Sequence, residues 1–252
     1  MNILLTNDDG LESPGILLLA GALREEGHRV LAVAPDRNRS GVSHSISFLG
    51  GPLVLSPRGD DSWACSGLPV DCVIAALLGG IPVKPDVVVS GINRGANLGT
   101  DLLYSGTAAA ARQGSLFGMP SIALSLVEGP ENIFHWDQAI RFFLSRFAEI
   151  LDWWKADTFV NVNIPNSPQG PSGIAPAFPS RRFYHDSMTW MDAPNGDRYC
   201  FFHAGVTESS LQEGSDRELV SRNLAALSSV WIHPVSGDPR DPAARIWDRY
   251  GG

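Results

Sequence analysis

The sequence predicts an α/β fold in which a mostly parallel sheet is covered by helices on both faces. Short apolar runs suited to buried strands alternate with segments of helical apolar spacing over the first two thirds of the chain. Polar, glycine-rich loops follow several of these runs, as is usual where parallel strands end. The length of 252 residues fits one domain of this class, or one domain with a sizeable insertion.

Each element has its own local signal. Ser13 and Pro14 are typical of a helix start, and Gly27 predicts the end of that helix. A hairpin is expected over residues 47–55, turning at Gly50 and Gly51. The core strands are predicted at residues 2–6, 30–34, 86–89, 121–126 and 158–163. The remaining helices are predicted at residues 70–78, 107–116 and 132–154.

The character of the chain changes after residue 163. Five prolines fall within residues 165–180, and shorter strand-like pieces follow at Tyr199 to His203 and Val230 to His233. We expect residues 1–163 to form the catalytic core. Residues 164–252 are expected to form a β-rich appendage that takes part in subunit contacts, the whole being one structural domain with an extension.

The charge balance disfavours a nucleic-acid duplex as partner. The chain has 27 acidic and 19 basic residues, a formal net charge of −8, and its only lysines are Lys84 and Lys155. The only basic clusters are Arg37 with Arg39, and Arg181 with Arg182. A duplex-binding protein needs a basic face, which this composition does not supply.

The cysteines and the apolar runs predict a cytoplasmic protein. Three cysteines without a CxxC spacing disfavour both a disulfide framework and a structural zinc site. The first ten residues lack the basic and apolar regions of a signal peptide. The longest apolar run, residues 73–83, is interrupted by two glycines and is too short to span a bilayer, so no membrane partner is expected.

Two adjacent carboxylates, Asp8 and Asp9, directly follow the first predicted strand. Holding both ionised near a buried strand end is costly, and a divalent cation would relieve the repulsion. The alternative is that one caps a helix and the other is solvated. Because the pair lies at the end of a central strand, we favour the metal site.

Two further loops are expected at the same edge of the sheet. Residues 35–45 carry polar side chains, His44 among them, which turn formation alone could also explain. In residues 90–107, glycines alternate with amides, and a Ser-Gly-Thr run enters an alanine-rich helix. Such a helix start suits phosphate, although a plain N-cap is also compatible. The proposed metal ligands of these loops are all oxygen atoms, which favours Mg²⁺ or Mn²⁺ over zinc.

Several motifs together resemble the SurE family of metal-dependent nucleotidases. They are TNDDG (6–10), APDRNRSGVSHSIS (34–47), PVDCV (69–73), SGINRGANLGTDLLYSGT (90–107) and NVNIP (161–165), in the family's order and spacing. The resemblance implies a Rossmann-like fold and hydrolysis of nucleoside 5′-monophosphates, with 3′-monophosphates as further candidate substrates. It also implies a homodimer or homotetramer.

The resemblance also implies roles for individual residues. One Mg²⁺ or Mn²⁺ per subunit would be held by Asp8, Asp9, Ser40 and Asn93, with Asp8 and Asp9 acting in catalysis. Phosphate or substrate contacts carry over to Asn38, Asn97, Asp101, Ser105, Gly106 and Thr107. We expect a metal-activated water to attack phosphorus directly, without a covalent enzyme intermediate.

The chain departs from the family pattern at a few positions. Leu68 stands where relatives often have Thr, and Gln113 stands where they usually have Glu. Residues 230–235 resemble the matching family strand only loosely.

Two alternatives remain at this point. One is a phosphatase like the haloacid dehalogenases, which forms an aspartyl-phosphate; that class needs Asp-x-Asp spacing and a later lysine. The other is a non-catalytic nucleotide sensor.

Overall fold

The structure is a computed structural model that describes residues 1–205, 207–209 and 211–234. Its centre is a nine-stranded, mostly parallel sheet with the strand order β3-β4-β2-β1-β5-β6-β7-β13-β8. Its strands are β1 (Asn2–Thr6), β2 (Arg29–Pro35), β3 (Leu55–Pro57), β4 (Ser62–Cys65), β5 (Val87–Arg94), β6 (Ser121–Leu126), β7 (Thr158–Ile164), β8 (Gly173–Pro176) and, further along the chain, β13 (Leu224–Trp231).

Helices cover both faces of the sheet, which confirms the predicted fold class. They are α1 (Pro14–Glu25), α2 (Pro69–Ala75), α3 (Gly106–Leu116), α4 (Trp136–Asp152) and the short α5 (Asp216–Ser221). The side chains of β1 alternate between the two faces: Ile3 and Leu5 belong to the core cluster under α1 and α4, and Leu4 to the cluster under α2 and α3. The continuous apolar run of this strand therefore reflects burial on both sides.

The hairpin predicted over residues 47–55 is wrong. Residues 48–50 form a single 3₁₀ turn, in which Leu49 is exposed. The carboxylate of Asp71 accepts both the backbone N–H and the hydroxyl of Ser47, which draws this segment away from strand pairing. The actual hairpin joins β3 and β4 and turns through Gly59 and Asp61, both at positive φ.

The later part of the chain contributes to the central sheet and to two small sheets. β13 pairs antiparallel with β7 and parallel with β8. The small sheets pair β9 (Arg182–Tyr184) with β12 (Thr207–Ser209), and β10 (Ser187–Asp192) with β11 (Arg198–His203). Residues 235–252, the end of the predicted appendage, lie outside the described residues.

No helix within the described residues is long and apolar enough to cross a membrane.

The strands β1, β2, β5, β6 and β7 are parallel, so their carboxyl ends meet at one edge of the sheet. The loops that leave β1, β2 and β5 carry the predicted site residues.

Candidate active site

Asp8 lies at the end of β1 and is almost fully buried, with 3% of its surface exposed. Burial raises the pKa of Asp8, and the hydroxyl of Thr107 and the backbone N–H groups of Gly106 and Thr107 lower it in part by hydrogen bonding. The preceding Asn7 fixes the turn, because its side chain donates to the Gly10 carbonyl (2.9 Å) and accepts from the Gly10 N–H (3.1 Å). The carboxylate therefore has a defined position before any ligand binds.

Asp9 is more accessible than its neighbour and has different partners. One carboxylate oxygen accepts the backbone N–H of Arg94 at 3.1 Å, and the other lies 3.4 Å from the side-chain nitrogen of Asn38. Burial raises the pKa of Asp9, and the charge of Asp8 raises it further, against the lowering effect of the Arg94 N–H. Ionising both carboxylates is thus unfavourable in the absence of a cation.

The start of α3 packs directly against Asp8. A Cβ at Gly106 would lie 2.8 Å from the Cβ of Asp8 and 2.9 Å from its Oδ2, so only glycine fits here. Ser105 accepts the N–H of Ala108 at 3.0 Å and is the N-cap of the helix. The hydroxyl of Thr107, a fully buried residue, donates to Asp8. Both hydroxyls are thus engaged within the protein.

The loop after β2 brings Ser40 to the same place. The backbone N–H of Arg39 donates to the carbonyl of Asp8 at 2.7 Å, and the N–H of Ser40 donates to the side chain of Asn38 at 2.9 Å. Further along, a ring nitrogen of His44 lies 2.9 Å from the side-chain oxygen of Gln113 on α3. Burial lowers the pKa of His44, which favours its neutral form.

The end of β5 and the glycine-rich loop after it supply two amides, Asn93 and Asn97. The side-chain nitrogen of Asn93 donates to the carbonyl of Gly95 at 2.9 Å, which leaves its side-chain oxygen available as a ligand. Asn97 is buried, with 6% exposed, and its side-chain nitrogen donates to the hydroxyl of Ser125 at 2.8 Å.

Asp101 serves as a bridge to the later part of the chain. Its carboxylate accepts hydrogen bonds from the guanidinium of Arg182 and the hydroxyl of Tyr184, both on β9. Burial raises the pKa of Tyr184, and the hydrogen bond to Asp101 raises it further. These contacts place an arginine and a tyrosine in the cleft that Asp8 also lines.

These loops surround a cleft of about 840 Å³. Six predicted site residues line it: Asp8, Ser40, Asn93, Asn97, Asp101 and Ser105. The other four, Asp9, Asn38, Gly106 and Thr107, lie beside it. Gly106 and Thr107 contact Asp8, and Asp9 contacts Asn38 and the backbone N–H of Arg94. The structure therefore brings all ten predicted residues to one region.

Sequence reasoning missed the opposite side of the cleft. It is lined by Arg182, Tyr184, Asp186, Phe202, Ala204, Thr207 and Arg217. The rings of Tyr184 and Tyr104 meet edge to face, 6.2 Å apart. The basic pair Arg181-Arg182 was the one sequence signal for this surface, since basic pairs are rare in this chain.

The donor set of the cleft suits a hard cation. Within the described residues, no group of three or more His, Cys, Asp or Glu side chains is placed to hold a metal ion. The candidate ligands are instead two carboxylates and the neutral oxygens of Ser40 and Asn93. An all-oxygen set of this kind suits a hard divalent cation.

The fold and the cleft together define a Rossmann-like α/β protein whose polar site lies at the carboxyl ends of parallel strands. The chain belongs to the SurE family, because the family model described as "Survival protein SurE" matches residues 3–186. The resemblance inferred from the motifs is therefore confirmed.

Individual relatives agree with this assignment. A 5′-nucleotidase SurE from Pelobacter propionicus is 38% identical over 236 residues, which are 92% of this chain and 94% of that protein. A 5′-nucleotidase SurE from Xanthomonas euvesicatoria is 46% identical over 169 residues, or 66% of this chain; the match spans only 64% of that relative's length. The crystal structure of the SurE protein from Aquifex aeolicus is 33% identical, with a TM-score of 0.81, and the match covers 98% of this chain and all of that one.

Proposed function

We propose that the protein is a divalent-metal-dependent phosphomonoesterase that hydrolyses nucleoside 5′-monophosphates to nucleoside and phosphate. Nucleoside 3′-monophosphates are proposed as a second substrate class. The observation that carries the proposal is the Asp8–Asp9 pair that follows β1. Asp8 packs against the start of α3 and lines the cleft with Ser40 and Asn93, and Asp9 accepts the backbone N–H of Arg94. The names of the Pelobacter and Xanthomonas relatives support the same activity.

One cation per subunit, Mg²⁺ or Mn²⁺, would be held by Asp8, Asp9, Ser40 and Asn93. The fit rests on the raised pKa of both aspartates, because a nearby cation offsets the cost of ionising two adjacent carboxylates. When bound, such a cation lowers the pKa of a coordinated water and neutralises charge on phosphoryl oxygens.

The protein's own groups then have distinct roles. Asp8, held by Thr107, supplies a fixed negative charge. Asp9 is the more accessible carboxylate, and it orients and deprotonates the attacking water. Asn97 and the N-cap residue Ser105, which both line the cleft, hold the phosphate. Thr107 acts through Asp8 in this scheme, because its hydroxyl donates to that carboxylate.

The two alternatives are less well supported. An aspartyl-phosphate mechanism needs a nearby lysine, and the two lysines, Lys84 and Lys155, do not line the cleft. The sensor has no support from the Pelobacter and Xanthomonas relatives, which are named as nucleotidases. Rapid quenching during a single turnover separates the two enzyme mechanisms. Direct attack of water leaves no phosphorylated residue, whereas a trapped aspartyl-phosphate at Asp8 or Asp9 would support the covalent route.

Assembly as a homodimer or homotetramer through the C-terminal strands is part of the proposal. Its support is the exposed apolar surface of β10 and β11, where Trp190, Met191 and Phe201 are each about half exposed. The cytoplasmic location and the absence of duplex or membrane partners stay predictions.

The direct test is a phosphate-release assay with nucleoside 5′- and 3′-monophosphates. Activity is expected with Mg²⁺ or Mn²⁺ and is expected to disappear on addition of a chelator. Phosphate release that is insensitive to chelation would overturn the proposed metal dependence. No release from any nucleotide, with metal binding intact, would favour the sensor.

A further inference from the structure

Two asparagines of the NVNIP segment have no role in the scheme above. Asn161 and Asn163 lie two residues apart on β7 and therefore face the same side of the sheet. Both are completely buried, in an interior strand of the sheet. Asparagine is depleted in strands, and a buried amide is costly unless it is hydrogen-bonded. A specific polar partner is therefore needed to account for both residues.

That partner is the backbone of Asn97. The side-chain nitrogens of Asn161 and Asn163 both donate to the carbonyl of Asn97, each at 3.0 Å. The side-chain oxygen of Asn163 accepts the N–H of Asn97 at 2.8 Å. A loop residue that follows β5 is thus bound through both of its backbone polar groups by side chains of β7.

The side chain of Asn97 has an anchor of its own. Its nitrogen donates to the hydroxyl of Ser125 on β6, which leaves its side-chain oxygen and second amide proton for the cleft that it lines. Neither Asn161 nor Asn163 lines that cleft. Any influence they have on the site must therefore pass through the loop.

We infer that Asn161 and Asn163 are positioning residues that fix the backbone of Asn97 and so set the direction in which its side chain enters the cleft. The inference rests on the proposed function, in which Asn97 contacts the phosphate. It assigns to Asn161 and Asn163, the second and fourth residues of the sequence Val160-Asn161-Val162-Asn163, a role in substrate binding that does not require contact with the substrate.

The two asparagines are not equivalent. Asn163 makes two hydrogen bonds to Asn97, whereas Asn161 makes one, and the side-chain oxygen of Asn161 is buried without a partner among the described residues. Loss of Asn163 should therefore disturb the loop more than loss of Asn161. Asn163→Leu removes both bonds at similar size, and Asn163→Asp keeps the acceptor for the Asn97 N–H while removing the donor to its carbonyl.

Ser228 provides a matched control. It lies opposite Asn161 in the β7–β13 register, it is equally buried, and its hydroxyl has no hydrogen-bond partner in the described part of the chain. Ser228→Ala changes a polar residue in the same row of the sheet without touching Asn97.

The kinetic test measures KM for a nucleoside 5′-monophosphate and inhibition by inorganic phosphate. Asn163→Leu is expected to raise KM and the phosphate inhibition constant in parallel by roughly tenfold, because contacts to an anion are lost. Asn163→Asp and Asn161→Leu should fall between it and wild type, and Ser228→Ala should match wild type. In an Asn97→Ala background, Asn163→Leu should add little, since its effect passes through Asn97. Additive effects in the double variant would overturn the inference.

A second measurement does not depend on activity. Hydrogen exchange of residues 95–99 should be faster in Asn163→Leu than in wild type and unchanged in Ser228→Ala, provided that thermal melting confirms that the variants fold. Unchanged exchange in folded Asn163→Leu would overturn the positioning role. If wild type releases no phosphate while exchange responds as expected, the proposed function fails and the structural link from β7 to Asn97 stands.

Discussion

The cleft has two sides that are built in different ways. The parallel-strand wall, formed by Asp8, Ser40, Asn93, Asn97 and Ser105, consists of loops at the ends of central strands, and its polar atoms are held by buried neighbours such as Thr107 and Asn163. The C-terminal wall, formed by Arg182, Tyr184, Asp186, Phe202, Ala204, Thr207 and Arg217, comes mostly from short strands with exposed surfaces.

Two carboxylates join the walls. Asp101 accepts from Arg182 and Tyr184, and Asp216 accepts the backbone N–H groups of Gly99 at 2.7 Å and Ser180 at 2.9 Å. A rigid wall with paired carboxylates suits the chemical step, which requires fixed charges. The C-terminal wall presents guanidinium and aromatic groups, which suit recognition of the rest of the substrate. The difference predicts that mutations in the two walls affect kcat and KM differently.

The largest effect is expected in the parallel-strand wall. Asp8→Asn should lower kcat by about a thousandfold or more, as is typical for removal of a catalytic charge. Because the pKa of Asp8 is higher in the folded protein than in the unfolded protein, ionisation of Asp8 destabilises the fold once the pH exceeds the unfolded value. At neutral pH and without metal, Asp8→Asn should therefore melt at a higher temperature than wild type. Phosphate release and thermal melting on the same preparation check both parts. Wild-type turnover by Asp8→Asn at saturating metal would contradict the assignment.

The next effect concerns the connection between the walls. Asp216 is completely buried and bonds Gly99, Ser180 and Arg217 through their N–H groups. Asp216→Ala leaves these donors unpaired and should cost about 3 kcal/mol or more in the free energy of unfolding. Chemical denaturation measures this cost. Asp192→Ala, which removes only an exposed ion pair with Arg198, is the control and should change stability little.

A moderate effect is expected in the C-terminal wall. Arg182→Met should raise KM for nucleotides by roughly tenfold and leave kcat within about threefold, because the guanidinium is proposed to act in recognition and not in the chemical step. Arg181→Met, at the exposed neighbouring position, is the matched control. A fall in kcat as large as that of Asp8→Asn would show that Arg182 acts in the chemical step, which contradicts the proposed difference between the two walls.

The smallest effect is a pH dependence of stability. The phenol of Tyr184 has a higher pKa in the folded protein than in the unfolded protein. Its contribution to the free energy of unfolding is therefore fully present below the unfolded pKa of about 10 and is lost as the pH rises through the folded pKa. Wild type should therefore lose stability more steeply than Tyr184→Phe above about pH 10. Denaturation at several alkaline pH values tests this, and parallel curves for the two proteins would argue against the Tyr184–Asp101 hydrogen bond.

The same contrast explains what the sequence could predict. The core strands were predictable, because buried parallel strands leave continuous apolar runs. The motifs at the ends of these strands also predicted ten site residues, which the structure brings to one region and whose roles stay predictions. The hairpin at residues 47–55 was not, since a distant carboxylate, Asp71, decides the path of Ser47. Arg182 and Tyr184 were also missed, because their partner Asp101 lies about 80 positions earlier and no local pattern reports such a contact.

The most direct test of the account is calorimetric titration of the metal-free protein with Mn²⁺. We expect one cation per subunit for wild type and for Arg182→Met, with similar affinity, and loss of this binding in Asp8→Asn and Asp9→Asn. Binding of Mn²⁺ to Asp8→Asn with wild-type affinity and stoichiometry would contradict the claim that the carboxylates at the end of β1 form the metal site.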